Sequence, residues 1–396
     1  MPRHIRFATL LLAGVAGLTA AADAATPIVF AHRGASAYRP EHTLASYTLA
    51  IEQGADFVEP DLVSTKDGIL VARHENEIGG TTDVADRPEF AGRRTTKTID
   101  GVRTTGWFTE DFTLAELKTL RAEERIPGTR PGGATYNGQF QVPTLQEVID
   151  LVKQKEIETG RKIGIIPETK HPTYFDRIGL SMEEPLVATL DANGYTGKDA
   201  NVFIQSFEVG NLIELNKLTE VPLVQLMTTR GARPWDFVAA GDTRTYGDLL
   251  TSAGLAGVKA YADVLSTDKS VLIPRDSAGR LANPSSVIAD AHAAGLLVVP
   301  YTFRPENTFL PTNLRIGSNP AAYGNDQAEF MAFLNAGVDG LFADAPDRAR
   351  AAVTLFTSMV PEPSSWAMML GGFALIGGAL RRRPRGKTIA ATVPAK

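Results

Sequence analysis

Between Thr26 and about Met359, short apolar runs alternate with amphipathic segments of helical period. Short continuous apolar runs suit strands buried on both faces, and the segments between them suit the crossover helices that parallel strands require. Strands are predicted at PIVFAH, ADFVEPDL, KIGIIPE, NVFIQS, VPLVQLM, GVKAY, LLVVPYTF and VDGLFA. Helices are predicted at Thr43 to Gln53, Leu145 to Glu158, Glu208 to Leu218, Pro284 to Ala294 and Asp326 to Ala336, with Gly54, Gly295 and Gly337 closing three of them. Eight strands in β/α alternation predict an α/β fold, a TIM (β/α)8 barrel with loop insertions. Three stretches, Glu75 to Gln141, Thr228 to Gly247 and Arg304 to Asn325, are too long and polar for simple connections and are expected to wall a cleft. The first of them contains a helix-like segment, TLAELKTLR.

The two ends do not follow this alternation. MPRHIR, then FATLLLAGVAGLTA, then Ala22-Asp23-Ala24 are the basic, apolar and small-residue parts of a secretory signal peptide in the expected order. Residues 1–25 are therefore read as a leader removed by signal peptidase, the alternative being an N-terminal barrel helix. At the other end stand Val360-Pro361-Glu362-Pro363-Ser364-Ser365, an apolar run from Trp366 to Leu380, and Arg381, Arg382, Arg383 and Arg385. The run is short against the roughly 20 residues of a stable span, which suits a transient membrane anchor; a buried terminal helix is the alternative. This tail resembles a PEP-CTERM sorting signal, and the resemblance implies processing by an exosortase. The expected organisation is a signal peptide at 1–25, a barrel domain at 26–358, a sorting and anchor segment at 360–385 and a short tail at 386–396. The expected location is the periplasm or the outer envelope and extracellular matrix of a Gram-negative bacterium.

Composition narrows the chemistry. With 43% hydrophobic and 21% charged residues the chain is an ordinary globular protein. A net charge of -5 without a Lys/Arg stripe excludes a nucleic-acid partner, which needs clustered cations. The absence of cysteine excludes disulfides, thiolate nucleophiles and thiolate metal sites, so any metal must take oxygen or imidazole ligands.

Polar groups gather where the predicted strands end. PIVFA runs into His32-Arg33-Gly34, ADFV into Glu59-Pro60-Asp61, KIGIIP into Glu168 with Lys170 following, NVFI into Gln205-Ser206, and LLVVP into Tyr301 and Arg304. In a barrel these ends converge on one face, the catalytic one. Residues two apart in a strand share a side, so Glu59 and Asp61 present their carboxylates in one direction, about 6 to 7 Å apart along the chain. With Glu168 they make a three-carboxylate cluster suited to one hard divalent cation, Ca²⁺ or Mg²⁺. His32 and His74 flank the cluster in sequence, and two imidazoles can supply a general base and a general acid near neutral pH. Arg33 is a natural bidentate partner for a phosphate oxygen. His42, His171 and His292 are read as structural, with His171 the first exception to look for because it follows Lys170.

AHRGASAYRPEHTLAS (residues 31–46) and GADFVEPDLVSTKDGILVARHE (residues 54–75) resemble the N-terminal signature of glycerophosphodiester phosphodiesterases, especially their bacterial periplasmic branch. PETKHP, IQSFE, PYTFR and GLFADAPD continue the resemblance in family order across almost the whole of the barrel region. It implies hydrolysis of glycerophosphodiesters to glycerol 3-phosphate and an alcohol, with His32 and His74 as the acid/base pair. It further implies that Glu59, Asp61 and Glu168 hold the metal, that Arg33 binds phosphate, and that Glu41, Lys170, Gln205 and Tyr301 line the substrate pocket. Pro40-Glu41-His42-Thr43 stands where P-E-N-T is usual, and Pro60 sits inside the E-x-D pair. The nucleophile is either water or the glycerol 2-hydroxyl. Two rival readings are a lysophospholipid-type phosphodiesterase on the same barrel and a catalytically silent envelope or biofilm matrix protein.

Overall fold

In the computed structural model, which describes residues 26–359, the apolar runs close into a barrel. The strands are β1 (Ile28–Ala31), β2 (Phe57–Val58), β3 (Asp61–Ser64), β4 (Leu70–Ala72), β5 (Thr95–Ile99), β6 (Val102–Gly106), β7 (Gly164–Ile165), β8 (Glu168–Thr169), β9 (Ile204–Ser206), β10 (Leu223–Met227), β11 (Val264–Thr267), β12 (Leu297–Val298) and β13 (Gly340–Ala343). Pro60 and Pro167 have no amide hydrogen to give the ladder, so one barrel strand is split into β2 and β3 and another into β7 and β8. Parallel neighbours run β13-β1-β2-β7 on one side and β12-β11-β10-β9-β8-β3 on the other. A parallel bridge from Phe303 to Ala343 joins the continuation of β12 to β13 and completes the ring. The expected signal peptide and sorting segment lie outside the described residues.

Each barrel position is followed by a helix: Leu44–Glu52, Leu145–Thr159, Glu183–Ala192, Val209–Leu218, Ser252–Lys259, Val287–Ala293, Asp326–Asn335 and Pro346–Met359. Local chemistry sets several of their ends. Thr144 and Glu147 form a reciprocal capping box that satisfies two amide groups at the start of the 145–159 helix, and Gly160 ends it in the left-handed conformation at φ 66°. Thr43 caps the first helix by accepting from the Ser46 amide.

One expected strand is corrected. GVKAY is the end of the helix Ser252–Lys259 and the turn after it, and the sixth barrel strand is β11, a few residues later. The period-two look of Val258, Ala260 and Ala262 is accidental. Leu255 and Val258, three apart, are the buried pair of that helix.

Side-chain alternation divides the barrel interior into layers. Phe30, Phe57, Ile166, Val224, Leu226, Val264, Val299 and Phe342 form an apolar cluster of their own, separate from the larger core between barrel and helices. Phe30 stacks on Phe342 with ring centroids 4.8 Å apart. Gly164 makes room for this packing, since a Cβ there would lie 2.0 Å from the Phe57 ring. Two residues beyond these positions, toward the strand C-termini, come His32, Glu59, Glu168, Tyr301 and Asp344. The same period that places phenylalanines in the floor therefore places the polar groups in the layer above it.

The long stretch after β4 is structured. Its hairpin, β5 and β6, turns at Asp100-Gly101, both with positive φ (47° and 77°), as a two-residue primed turn requires. Asp100 Oδ2 meets His171 Nδ1 at 2.5 Å. A Cβ on Gly101 would strike the Trp235 ring at 2.7 Å, so the hairpin tip is held against both the loop after β8 and the short helix Trp235–Ala240.

Candidate active site

The cleft at the C-terminal ends of the strands is lined by His32, Arg33, Glu59, Asp61, His74, Glu168, Lys170, Gln205, Tyr301 and Arg304, over a wall of Phe207, Leu226 and Phe342. All but one of the site residues expected from sequence are thus brought together. Glu41 does not line this cleft. It is buried beside Arg33, where its carboxylate accepts from Arg33 Nη1 at 3.1 Å and from Arg125 at 2.6 and 2.9 Å. A carboxylate between two guanidiniums is suited to aiming Arg33, whereas one facing a phosphodiester would repel it.

The backbone at the end of β1 is bent to serve this arrangement. Arg33 and Gly34 both adopt positive φ, 60° and 85°. Only glycine fits at 34, where a Cβ would lie 2.5 Å from Ser46 Oγ and 2.8 Å from the Ser46 carbonyl carbon. The turn directs the Arg33 amide at Glu59 Oε2, 3.0 Å away. Left-handed backbone at a non-glycine residue costs on the order of 1 kcal/mol or more and is concentrated at functional sites.

Glu59, Asp61 and Glu168 are buried, and each offers a carboxylate oxygen within 4.8 Å of the others. Gln205 Nε2 donates to Glu59 Oε1 at 2.7 Å, Lys170 Nζ reaches Glu168 Oε1 at 2.6 Å, and His42 Nε2 meets Asp61 Oδ2 at 3.0 Å. Asp61 Oδ1 is buried with no hydrogen-bond partner. Burial, followed by the charges of Asp61 and Glu168, pushes the Glu59 carboxyl well above its ordinary range. Burial likewise carries Glu168 up to about 8, with Lys170 opposing and Asp61 adding to the rise. Asp61 stays well below the ordinary range because Lys170 and His42 outweigh its burial. Such a cluster is short of positive charge, and an orphaned carboxylate oxygen on one of its members fits a hard cation.

Each catalytic-face histidine is held by a carboxylate. His32 Nδ1 lies 2.5 Å from Asp344 Oδ1, and Asp344 also accepts from Arg130 at 2.5 Å and Arg304 at 3.0 Å. Burial works against the Asp344 charge, but Arg130, Arg304 and His32 outweigh it and keep the carboxylate ionised. The proton therefore belongs on His32 Nδ1, leaving Nε2 unprotonated to accept from the Thr302 hydroxyl at 3.4 Å. His74 Nδ1 is 2.5 Å from Glu75 Oε1, and Arg125 grips Glu75 at 2.7 and 3.1 Å. Arg125 thus links the Arg33–Glu41 pair to the His74–Glu75 pair.

Burial, with help from Arg33, lowers His32 to about 4 from its ordinary 6.5. Burial, Arg33 and Lys170 lower His74 to about 3. Both rings are neutral at pH 7. Below pH 6.5 the unfolded chain binds protons on these histidines that the folded chain refuses, so stability is lost as pH falls from about 6.5 toward 4. The unfolding free energy read from urea titrations is expected to drop through that window by up to about 1.4 kcal/mol per pH unit for each histidine. A His32→Gln variant should show a shallower fall, and a wild-type profile flat from pH 7 to 4 contradicts the neutral, buried imidazoles.

Sequence reasoning passed over several of these groups. Asp344, in GLFADAPD, follows β13 and was legible as one more polar residue at a strand end. His42 was read as structural, yet it holds a cluster carboxylate with one ring nitrogen and the Tyr47 hydroxyl, at 2.8 Å, with the other. Arg125 and Arg130 come from the long insertion, where no periodicity marks them. His171 pairs with Asp100 and His292 with Asp339, both away from the cleft.

Comparison with known proteins identifies the family. Residues 32–348 match the glycerophosphoryl diester phosphodiesterase family, and residues 360–383 match the PEP-CTERM protein-sorting motif. The glycerophosphodiester phosphodiesterase GDPD6 of Arabidopsis thaliana is 36% identical over 331 residues, 80% of this chain and 83% of its own. The glycerophosphodiester phosphodiesterase of Haemophilus influenzae is 28% identical over 344 residues, 81% of this chain and 88% of its own. The fold is shared with a phosphodiesterase of Oleispira antarctica, solved in complex with the product sn-glycerol-3-phosphate; the TM-score is 0.54 and the identity 22%, over 83% of this chain and 97% of that one. The chain belongs to the glycerophosphoryl diester phosphodiesterase family and is an enzyme of that class. Its C-terminal motif marks it for export and sorting.

Proposed function

We propose that the enzyme hydrolyses glycerophosphodiesters to glycerol 3-phosphate and an alcohol, with one divalent cation, Ca²⁺ or Mg²⁺, held by Glu59, Asp61 and Glu168. The observation that carries this reading is the group of three buried carboxylates, one of them with the unpartnered oxygen Asp61 Oδ1, in the same cleft as two carboxylate-oriented histidines. A cation bound there supplies positive charge to the phosphoryl oxygens as negative charge builds on them.

The remaining work falls to the chain's own side chains. Arg33, aimed by Glu41, binds a non-bridging phosphoryl oxygen, and Lys170 adds a second positive charge beside it. Of His32 and His74, one takes the proton of the attacking hydroxyl on its unprotonated Nε2, and the other, protonated on both nitrogens once the anionic diester beside it favours the imidazolium, gives its Nε2 proton to the leaving alcohol. Asp344 and Glu75 hold the rings through Nδ1 and stabilise the imidazolium form of each, which the base gains and the acid gives up. Gln205 holds Glu59, and Tyr301 walls the pocket over the apolar floor, where a glycerol carbon chain fits.

Residues 26–358 form the catalytic domain on this reading. Residues 1–25 are removed by signal peptidase and the 360–385 segment is processed by an exosortase, which puts the enzyme in the periplasm or in the outer envelope or extracellular matrix. Release of glycerol 3-phosphate from glycerophosphocholine by the purified protein, beside lysophosphatidylcholine as rival substrate, tests the assignment. Turnover is expected to favour the water-soluble diester. Preference for the lysophospholipid moves the enzyme to the lipid-active reading, and no turnover of either rejects a catalytic role.

A further inference from the structure

Behind Asp344 lies a buried row of charges. Asp344 Oδ2 accepts from Arg130 Nη2 at 2.5 Å, and the same guanidinium grips Glu306 through Nε at 2.7 Å and Nη2 at 3.3 Å. Its Nη1 donates to the Ser36 carbonyl at 2.9 Å, and the Ser36 hydroxyl donates to the His32 carbonyl at 2.9 Å. Arg130 therefore reaches His32 in two ways, through the carboxylate on its ring and through the backbone beneath it. Glu306 is 0% exposed, and among the described residues its carboxylate bonds Arg130 alone. Arg130 comes from the insertion after β4 and Glu306 from the polar stretch after β12, so two of the long connections expected to wall the cleft meet at this pair.

Stability is a poor reason for such a pair, since apolar residues of the same volume would serve as well or better. Asp344 has a second guanidinium, with Arg304 Nε at 3.0 Å, but that one is differently placed. The Arg304 side chain is 31% exposed and lines the catalytic cleft, where an anionic diester competes for it. That of Arg130 is 6% exposed and forked on Glu306, so it stays on Asp344 when the cleft fills. A guanidinium suits the task because its donors lie in one rigid plane, and anchoring Nε on Glu306 aims Nη2 at Asp344.

We propose that Arg130 and Glu306 are positioning residues for His32: Glu306 fixes the Arg130 guanidinium, which keeps Asp344 ionised and turned toward His32 Nδ1, so that Nε2 stays unprotonated. The kinetic consequence rests on the diesterase reading above; the effect on the imidazole rests on the geometry alone. Without the guanidinium, buried Asp344 takes up a proton more readily. A protonated Asp344 donates to Nδ1 and leaves the ring hydrogen on Nε2, the wrong nitrogen for a base facing the cleft.

Removing Arg130 alone would strand Glu306 as a lone buried charge, so the test uses Arg130→Met together with Glu306→Gln in the whole enzyme. On glycerophosphocholine, kcat is expected to fall about ten- to a hundredfold, short of the roughly 10²- to 10⁴-fold worth of a complete general acid or base. KM should change by less than about threefold, because no group that binds the diester has been removed. Arg130→Lys keeps the charge but loses the fork, and it should show a reduced kcat as well. In the substrate-free enzyme at pH 7, the imidazole nitrogen NMR signals that vanish in His32→Gln should report a proton on Nδ1 alone. The double variant should move the Nε2 signal toward its protonated position. Unchanged kcat in the double variant or in Arg130→Lys overturns the proposal, and so does a fall in kcat with the His32 signals unmoved. If wild type turns over no diester, the diesterase reading falls and the imidazole signals alone decide: a shift in the double variant upholds the positioning role, and unmoved signals overturn it.

Discussion

Replacing His32 or His74 by alanine is expected to lower kcat by about 10² to 10⁴-fold, the usual range for a general acid or base, with the fold retained. The fold should survive because neither truncation strands a charge. Asp344 keeps Arg130 and Arg304 as partners when His32 is removed, and Glu75 keeps Arg125 when His74 is removed. The two losses should not add in the double variant, since both residues serve one proton-transfer sequence. Activity measured beside the urea midpoint separates loss of chemistry from loss of structure. Near wild-type kcat in either single variant removes that histidine from the mechanism.

Substitution within the carboxylate cluster should move stability and cation binding in opposite directions. Without a cation, Glu168 is already pushed up to about 8 by burial and its neighbours. Such a carboxyl is largely protonated at pH 7, so Glu168→Gln replaces one neutral group by another, and the cation-free protein should be about as stable as wild type or more so. The same change takes away a ligand, so cation affinity should fall by at least the roughly 10 to 100-fold typical of damage to outer ligand supports. Wild type should gain thermal stability when Mg²⁺ or Ca²⁺ is added, because a ligand of the folded state shifts its midpoint by mass action, and the variant should lose most of that gain. His42→Phe should weaken binding in the same way without touching a ligand, because His42 holds Asp61 through Nε2. A midpoint that ignores cations in wild type would count against the cluster as a metal site.

Much of this arrangement was legible in the sequence because a barrel repeats one rule. Strand period two puts Phe30 and His32, or Phe57, Glu59 and Asp61, on the same inner side, so a polar residue two places beyond an apolar one is a candidate for the upper layer. His32, Glu59, Glu168 and Tyr301 were found as polar residues at predicted strand ends, and period two explains why they face inward. The rule failed at GVKAY, where a helix end carries small and apolar residues at even spacing and β11 itself ends in the polar pair Ser266-Thr267. It could not reach Arg125 or Arg130, which the insertion brings back across the cleft over 84 residues to Glu41 and 214 to Asp344. Glu41 was placed in the site from resemblance alone. Its partner Arg125 sets its position beside the pocket, and no local pattern announces that pairing.

Release of glycerol 3-phosphate from glycerophosphocholine, followed before and after EDTA and again with Mg²⁺ or Ca²⁺ restored, tests the central claim most directly. A cation held by the three carboxylates requires loss of activity on chelation, recovery with at least one of the two ions, and no recovery in an Asp61→Asn variant. Full activity after exhaustive chelation, or recovery in Asp61→Asn equal to wild type, would contradict it.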